Sequence, residues 1–578
     1  MPIFTSLFSI PLRTSILQLT PKRSAITLRF LRMASTLPRL PVFEAIANHD
    51  PQHTAIIHSN SGRSFKYGNI LQDVAAAKDK LNRKASDKLE GQRIAFLVEN
   101  GCNAIAIPMS PNFPPGELRY IMQQSGALML LSSDKFKDKA NDVLKEGLER
   151  EVVYDLVEKQ MGEERVAEQV HLENLNFDKS GMMLYTSGTT NRPKGVLLPE
   201  SVLTAQARSL MKAWNYTPKD HLLHVLPLHH IHGTINAIMT PLLAGSTIEF
   251  LFPFNLNAVW NRFAAPFLPN GSPKKSPITF FTAVPTIYNR LLPSHSSLSP
   301  ELQEATRKAI SPEHLRLNIS GSAALPTPTK AAWKELSNGN VLLERYGMTE
   351  VGMALSCGLS FDDRVDGSVG WALPSVQVRL VDTESNEVIK EGEELTSEGK
   401  EREGEIQLRG PTIFREYWNN LEATMKEHTE DKDGQGKWFK TGDVATRKFV
   451  QGVGKSEQGW TKGPMYFIRG RRSVDIIKSG GEKVSALEIE RELLSLPQIA
   501  EAAVVGLPSE QWGQKVAAVI VLKPDQVNTG RGGKQWGIMD MRRALKDQLA
   551  NYKIPQEMKV VESIPKNAMG KSKLTLFS

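Results

Sequence analysis

The stretch Met183–Leu198, MLYTSGTTNRPKGVLL, decides how the rest of the chain is read, because an apolar run opens into a loop of hydroxyls, glycines and two cations. Met182, Met183, Leu184 and Tyr185 suit a buried strand, and Thr186, Ser187, Thr189 and Thr190 then offer hydroxyl and backbone donors where oxyanions can sit. Gly188 and Gly195 let the backbone approach a ligand closely, Pro193 stiffens the turn, and Arg192 and Lys194 supply positive charge. The pattern fits a cradle for nucleotide phosphates, and it also fits an ordinary polar loop after a strand. It is not a Walker A loop, since no glycine is followed by four residues and then Gly-Lys-Ser/Thr.

Outward from this loop, apolar strands (Arg93–Val98, Leu128–Leu131, Met182–Tyr185, Ile278–Ala283) alternate with segments of helical period such as Ile70–Leu81 and Leu203–Trp214. That alternation predicts parallel α/β sheets. From Gly367 to Gly410 the text changes to short alternating strands, Val376–Val381 and Glu405–Leu408, which predict a β-rich subdomain. The polar runs Glu391–Gly404 and Glu430–Lys437 read as solvated surface loops. A boundary is expected near Phe467–Val474, beyond which Glu488–Leu496 and Met539–Leu549 read as helices and Ala502–Val505 and Ala517–Leu522 as strands of a small α+β domain. The expected division is therefore 1–40 as leader, 41–470 as the large domain and 471–578 as the small one.

A chain of 578 residues is too long for one compact core, and its apolar stretch Leu222–Leu251 is broken by histidines, prolines and glycines, which predicts no transmembrane helix. The formal charge of +8 invites a nucleic-acid reading, but six of those charges (Arg13, Lys22, Arg23, Arg29, Arg32, Arg39) lie in the first 43 residues, where no acidic residue occurs. The remainder is close to neutral, so no nucleic-acid partner is expected. An Arg- and Ser-rich leader with interleaved Phe4, Leu7, Phe8, Ile10, Leu12, Ile16, Leu17 and Leu19 fits a mitochondrial transit peptide or a disordered basic tail. Met33 offers an internal start that would leave a cytoplasmic product. The final Leu576-Phe577-Ser578 is not a peroxisomal Ser-Lys-Leu signal. Cys102 and Cys357 form no Cys-x-x-Cys pair, so neither a disulfide framework nor a thiolate zinc site is expected. His229, His230 and His232 invite a metal reading, with His230 and His232 on one strand face, but no cysteine or HExxH pattern completes a site.

Four further segments give the loop its meaning: Glu344–Glu350 (ERYGMTE), Thr441–Asp443 (TGD), the Gly470–Glu490 region (GRRSVDIIKSGGEKVSALEIE) and Pro565–Lys571 (PKNAMGK). Together, and in this order, they resemble the acyl-adenylate-forming superfamily of acyl-CoA synthetases, luciferases and peptide-synthetase adenylation domains. The resemblance runs from about residue 41 to the end. It implies an α/β fold, with a large N-terminal domain of two α/β sheets plus a β-barrel and a small mobile α+β C-terminal lid. It also implies use of ATP, Mg2+ and coenzyme A to activate a small carboxylic acid through an acyl-adenylate.

The resemblance further implies site roles. Thr186, Ser187, Gly188, Thr189, Thr190 and Lys194 would grip the triphosphate; Ser322, Ala323, Glu344, Arg345, Tyr346 and Gly347 would face the nucleotide, with Tyr346 stacking on adenine. Thr349 would contact the α-phosphate, and Glu350 with Thr190 would hold Mg2+. Asp443 would accept from the ribose hydroxyls, a task for which a carboxylate behind a tight turn is suited, although an Asx-turn is the commoner fate of Thr-Gly-Asp. Arg471 would be the second ribose contact, with Arg472 the alternative if the register slips by one. Lys571 would reach the α-phosphate and the substrate carboxylate during adenylation, the lid would rotate near Arg471–Ser473, and Gly480 and Gly481 would line the pantetheine channel. Asn191 and Glu200 depart from the family's glycine and histidine.

The segments RLNISGSAALP, LLERYGMTEVGMALS and GRRSVDIIKSGGEKVSALEIE are most similar to those of malonyl-CoA synthetases, which implies malonate as the acid, with methylmalonate as a second candidate. Arg316 is then expected to pair with the distal carboxylate, Arg290 to be a second cation, and His230, Ser320 and Met348 to line the acyl pocket. A medium-chain or aromatic carboxylate ligase is the alternative within the superfamily, and a non-catalytic nucleotide-binding protein is the alternative outside it.

Overall fold

The computed structural model describes residues 36–565 apart from 87–88, 90, 98–104, 146, 158–169, 175–179, 187–191, 269–274, 431–432, 473–474 and 480–481. Most of the leader, Cys102, Ser187, Gly188, Thr189, Thr190, Asn191, Ser473, Gly480, Gly481 and Lys571 lie outside the described residues. Among the described residues, no helix is long and apolar enough to cross a membrane.

The opening motif closes a hairpin in the first of two α/β sheets. Strands β1 (Arg93–Leu97), β2 (Ile105–Pro108), β3 (Met129–Ser133), β4 (Val153–Val157), β5 (Gly181–Thr186) and β6 (Lys194–Pro199) build this sheet. Its spatial order is β6-β5-β2-β1-β3-β4, with Glu416–Tyr417 added outside β6. β5 and β6 pair antiparallel, with Thr186 opposite Lys194 on the rung nearest the phosphate-loop motif. The strands are near-continuous apolar runs because both faces are covered.

Helix α1 (Glu200–Trp214) leads into the second sheet of β7 (His221–His224), β8 (Thr247–Phe250), β9 (Phe280–Ala283), β10 (Leu317–Gly321), β11 (Leu343–Met348) and β12 (Gly352–Ser356). Its order is β12-β11-β10-β9-β7-β8, extended by Trp371–Ala372 beside β12 and by the Thr54–His58 and Ser64–Lys66 hairpin beside β8. Strands β7 to β11 run parallel. After β7 the chain adds β8 on one side and then crosses to β9 on the other, which opens a crevice at the carboxyl ends of β7 and β9. Ligands of open α/β sheets bind at such a switch point. Helix α2 (Pro285–His295) starts there, immediately after β9.

The β-rich stretch forms a six-stranded antiparallel sheet that includes Gln377–Asp382, Gly404–Arg409, Lys437–Lys448 and Met465–Arg471. Where the resemblance implies a barrel, the recorded pairings do not close into a ring among the described residues. The polar run Glu430–Lys437 is exposed where described, as a solvated loop should be, and Glu430 pairs with Lys437 at the base of its hairpin. The run Glu391–Gly404 supplies Glu394 to Arg447 at 3.0 Å and Glu401 to Lys448 at 3.1 Å. One apolar core joins all three sheets, with Leu184 and Val196 from the first, Phe280 and Leu317 from the second, Leu380 and Phe439 from the third, and the fully buried Trp214 of α1 between them. A separate five-stranded sheet begins at Ile476 and packs Val484, Ile489, Val516 and Met541 into its own core.

Arg316, expected at the substrate, lies at the opposite end of β10. Ser322 follows the carboxyl end of that strand, six residues away, which is about 20 Å at a rise of about 3.3 Å per residue. The Arg316 guanidinium is fully engaged there: Nε and Nη2 donate to Asp220 at 2.6 and 2.7 Å, and Nη1 and Nη2 donate to the carbonyls of Trp214 and Asn215, both at 3.0 Å. Asp220 also accepts from the Thr217 amide at 2.8 Å and Thr279 Oγ1 at 3.0 Å. An arginine before an apolar strand is thus a tie between α1, β7, β9 and β10. Burial alone would raise the Asp220 pKa, but Arg316, the Thr217 amide and Thr279 more than reverse it.

Asp220→Asn is therefore expected to lower stability by about 2–4 kcal/mol in urea titrations at pH 7. Because the folded pKa is depressed, the native carboxylate's contribution is complete above about pH 4 and is lost as pH falls further. The gap between the two proteins should persist down to about pH 4 and shrink only below it.

Candidate active site

Three polar clusters converge at the carboxyl ends of the second sheet, beside the β5–β6 hairpin. The first centres on Arg345 in β11, whose side chain runs under Gly321. A Cβ at Gly321 would lie 2.6 Å from Arg345 Cζ, so only glycine leaves room for the guanidinium. Arg345 Nη2 donates to Ser322 Oγ at 3.0 Å and to His232 Nδ1, and Ser322 is held at a φ of 71°, a conformation few side chains adopt. Because His232 Nδ1 accepts, Nε2 carries the proton and donates to Thr282 Oγ1 at the end of β9. Burial, with Arg345 beside it, presses the His232 pKa far below its ordinary value, so the ring is neutral.

Arg345 itself is 4% exposed, and no carboxylate lies within 4.0 Å of it among the described residues. Its Nε is buried without a hydrogen-bond acceptor. Burial pushes its pKa down to about 9, which still leaves it charged at neutral pH. A buried cation with no counter-ion costs on the order of several kcal/mol, which the bonds to Ser322 and His232 offset in part.

The second cluster is Glu350, Tyr417 and Lys194. Glu350 follows β11, is 5% exposed, and accepts from Tyr417 Oη at 2.8 Å. Lys194 Nζ rests 3.9 Å from the centre of the Tyr417 ring. Burial raises the Glu350 pKa, while the Tyr417 hydroxyl, Arg471 and Lys194 pull it down. A single carboxylate with one oxygen tied by a phenol fits Mg2+, which keeps waters and takes one or two carboxylates alongside substrate phosphates. Among the described residues, no group of three or more His, Cys, Asp or Glu is placed to hold a metal ion.

The third cluster is Tyr346, Asp443 and Arg471. Tyr346 Oη donates to Asp443 Oδ2 at 2.6 Å, and Arg471 Nε donates to Oδ1 at 3.3 Å from the facing rung of the antiparallel sheet. Asp443 caps no turn of its own: Thr441 Oγ1 accepts from the Asp443 amide at 3.1 Å, and Gly442 takes the φ of 73° that the bend needs. Its carboxylate is thus left for side chains and ligands. Arg472 donates elsewhere, to the Thr383 carbonyl at 3.1 Å, so Arg471 rather than Arg472 meets Asp443.

Other expected residues divide. Ser322 and Ala323 are exposed at the crevice, Ser320 is buried in β10, and Gly347 sits where a Cβ would meet the Gly352 carbonyl at 2.0 Å. Met348 and Thr349 are half-buried beside them. Glu344 turns into the core, where Lys330 donates to it at 2.7 Å. His230 is not on a strand: β7 ends at His224, and residues 228–230 turn into a π-helix over His232–Met239. The His230 ring is tilted by 54° against that of His229, 4.2 Å between centres, and the His229 ring meets Phe113 edge-on at 5.8 Å. Arg290 is exposed on α2, 5.2 Å over Phe254. Sequence reasoning missed Tyr417 and the part played by His232. The run Ile413–Asn420, IFREYWNN, carried the signal for the first as an aromatic-rich segment after the β-rich text.

The AMP-binding enzyme model matches residues 43–418, and the AMP-binding enzyme C-terminal domain model matches residues 488–571. A CoA ligase of Gibberella moniliformis is 54% identical over 93% of this chain and 94% of its own length. The human mitochondrial malonate–CoA ligase ACSF3 is 38% identical over 84% of this chain and 82% of its own. The crystal structure of ATP-bound MatB from Rhodopseudomonas palustris superposes with a TM-score of 0.70 at 27% identity, covering 93% of this chain and 97% of that one.

Gly321→Ala tests the first cluster. Displacing the buried guanidinium is expected to cost about 1–3 kcal/mol, read as a lowered urea midpoint. Gly116→Ala, where an added Cβ meets nothing within 4 Å, is expected to leave the midpoint unchanged.

Proposed function

The chain belongs to the AMP-binding enzyme family, and we propose that it is an ATP-dependent malonate–CoA ligase working through malonyl-AMP, with methylmalonate as a second acid. The single observation that carries the choice of acid is the uncompensated, buried guanidinium of Arg345 beside Ser322 and neutral His232. A dicarboxylate that presents one carboxylate to ATP has a second to place, and Arg345 is the group that gains most from receiving it. A monocarboxylate would leave that charge buried and unpaired.

The other residues take roles consistent with their surroundings. Lys194, Thr186 and the hydroxyls of the adjoining loop bind the β- and γ-phosphates. Asp443, fixed by Tyr346 and Arg471, accepts from the ribose hydroxyls while Tyr346 lies against adenine. Glu350 is the carboxylate for Mg2+, which when bound neutralises phosphate charge. Held by these contacts, a carboxylate oxygen of malonate attacks the α-phosphorus and pyrophosphate leaves. Thr349 lies beside that centre, and Lys571 meets the charge that develops there. The CoA thiol then attacks the acyl carbon, AMP leaves, and malonyl-CoA is released. Between the two steps the C-terminal sheet moves as a lid about the Arg471–Ser473 junction, bringing Gly480 and Gly481 to the pantetheine arm. This reading is supported by the small domain's separate core. A mitochondrial address is supported by the Arg-rich leader and by the printed name of the human relative.

Arg345→Gln is expected to raise the malonate KM by about 100-fold or more while leaving the ATP KM within about threefold, measured by malonate-stimulated pyrophosphate release. Arg316→Leu is expected to leave the malonate KM within about threefold. Pyrophosphate release stimulated better by hexanoate or coumarate than by malonate would overturn the choice of acid.

A further inference from the structure

Tyr417 stands where two sheets meet. It belongs to the short strand outside β6, with Tyr417 opposite Val196, and its neighbours bond to the same strand: the Trp418 amide to the Gly195 carbonyl at 2.7 Å and the Arg415 amide to the Leu197 carbonyl at 3.0 Å. Yet its hydroxyl reaches across to Glu350 after β11, and the Phe414 amide donates to the Glu350 carbonyl at 2.8 Å. The same ring carries Lys194 on its face at 3.9 Å, and Lys194 has no carboxylate within 4.0 Å among the described residues.

We propose that Tyr417 is a positioning residue that aims the Glu350 carboxylate at the metal–nucleotide complex and seats Lys194 on its ring until ATP draws the lysine to a phosphate. The inference rests on the proposed metal role of Glu350. The phenol is suited to both tasks. Burial, with the Glu350 charge beside it, raises its pKa so that it stays a protonated donor. Its hydrogen bond fixes Oε1 and with it the orientation of the carboxylate. Its π face holds an ammonium weakly enough for a triphosphate to displace it.

The test uses the full-length enzyme with Mn2+ and a non-hydrolysable ATP analogue, with bound Mn2+ read by electron paramagnetic resonance at neutral pH and without turnover. Tyr417→Phe keeps the ring, so the fold and the lysine seat remain. It is expected to weaken Mn2+ binding about tenfold, while metal-free affinity for the analogue changes by less than about threefold. Glu350→Gln is measured alongside. If Glu350→Gln abolishes Mn2+ binding and Tyr417→Phe leaves the Mn2+ affinity unchanged, the role of Tyr417 is overturned and that of Glu350 stands. If Glu350→Gln leaves Mn2+ binding intact, both are overturned.

Discussion

A guanidinium buried without a carboxylate is the constraint around which this crevice is arranged. Arg345 could be neutralised by any nearby acid, and Asp220 does so for Arg316 at the other end of β10. Around Arg345 the chain instead supplies neutral acceptors: Ser322 on a strained turn and an imidazole kept uncharged by the same burial. Gly321 is bare so that the side chain can pass, and Thr282 accepts the imidazole's remaining N–H from the neighbouring strand. Each element solves part of one problem, holding a buried charge with neutral partners alone.

The fold was largely legible in the sequence because its strands are apolar runs between turn-rich breaks, and the family motifs fall where the strands end. The choice of arginine was not. A strand's period distinguishes its faces but not its two ends, so nothing in the pattern corrected the expectation, drawn from the resemblance, that Arg316 just before β10 reaches the substrate. Direction is set by the sheet, whose parallel order sends the carboxyl ends of β9, β10 and β11 to one side. The reading of His230 and His232 as strand neighbours failed because Pro227 and the following turn end the extended stretch, and the chain then winds into a wide helix.

Tyr417 shows a different limit. Nothing within a few residues of it reveals its hydroxyl's partner, since Glu350 lies on another sheet. The triad of Tyr346, Asp443 and Arg471 was more accessible, because each member sits inside a motif whose order along the chain is itself a signal. What remained ambiguous there, Arg471 against Arg472, is decided by antiparallel alternation, which points neighbouring side chains to opposite faces.

The strand Glu416–Tyr417 has a consequence for how the molecule comes to be. It completes the edge beside Lys194–Pro199 from more than two hundred residues downstream. A pairing of such sequence separation forms only after a long loop has closed. During synthesis the phosphate-loop hairpin therefore emerges and pairs well before the tyrosine that ties it to Glu350 exists. The nucleotide grip is assembled late, and a nascent or truncated chain that ends before the third sheet has the loop without its tether.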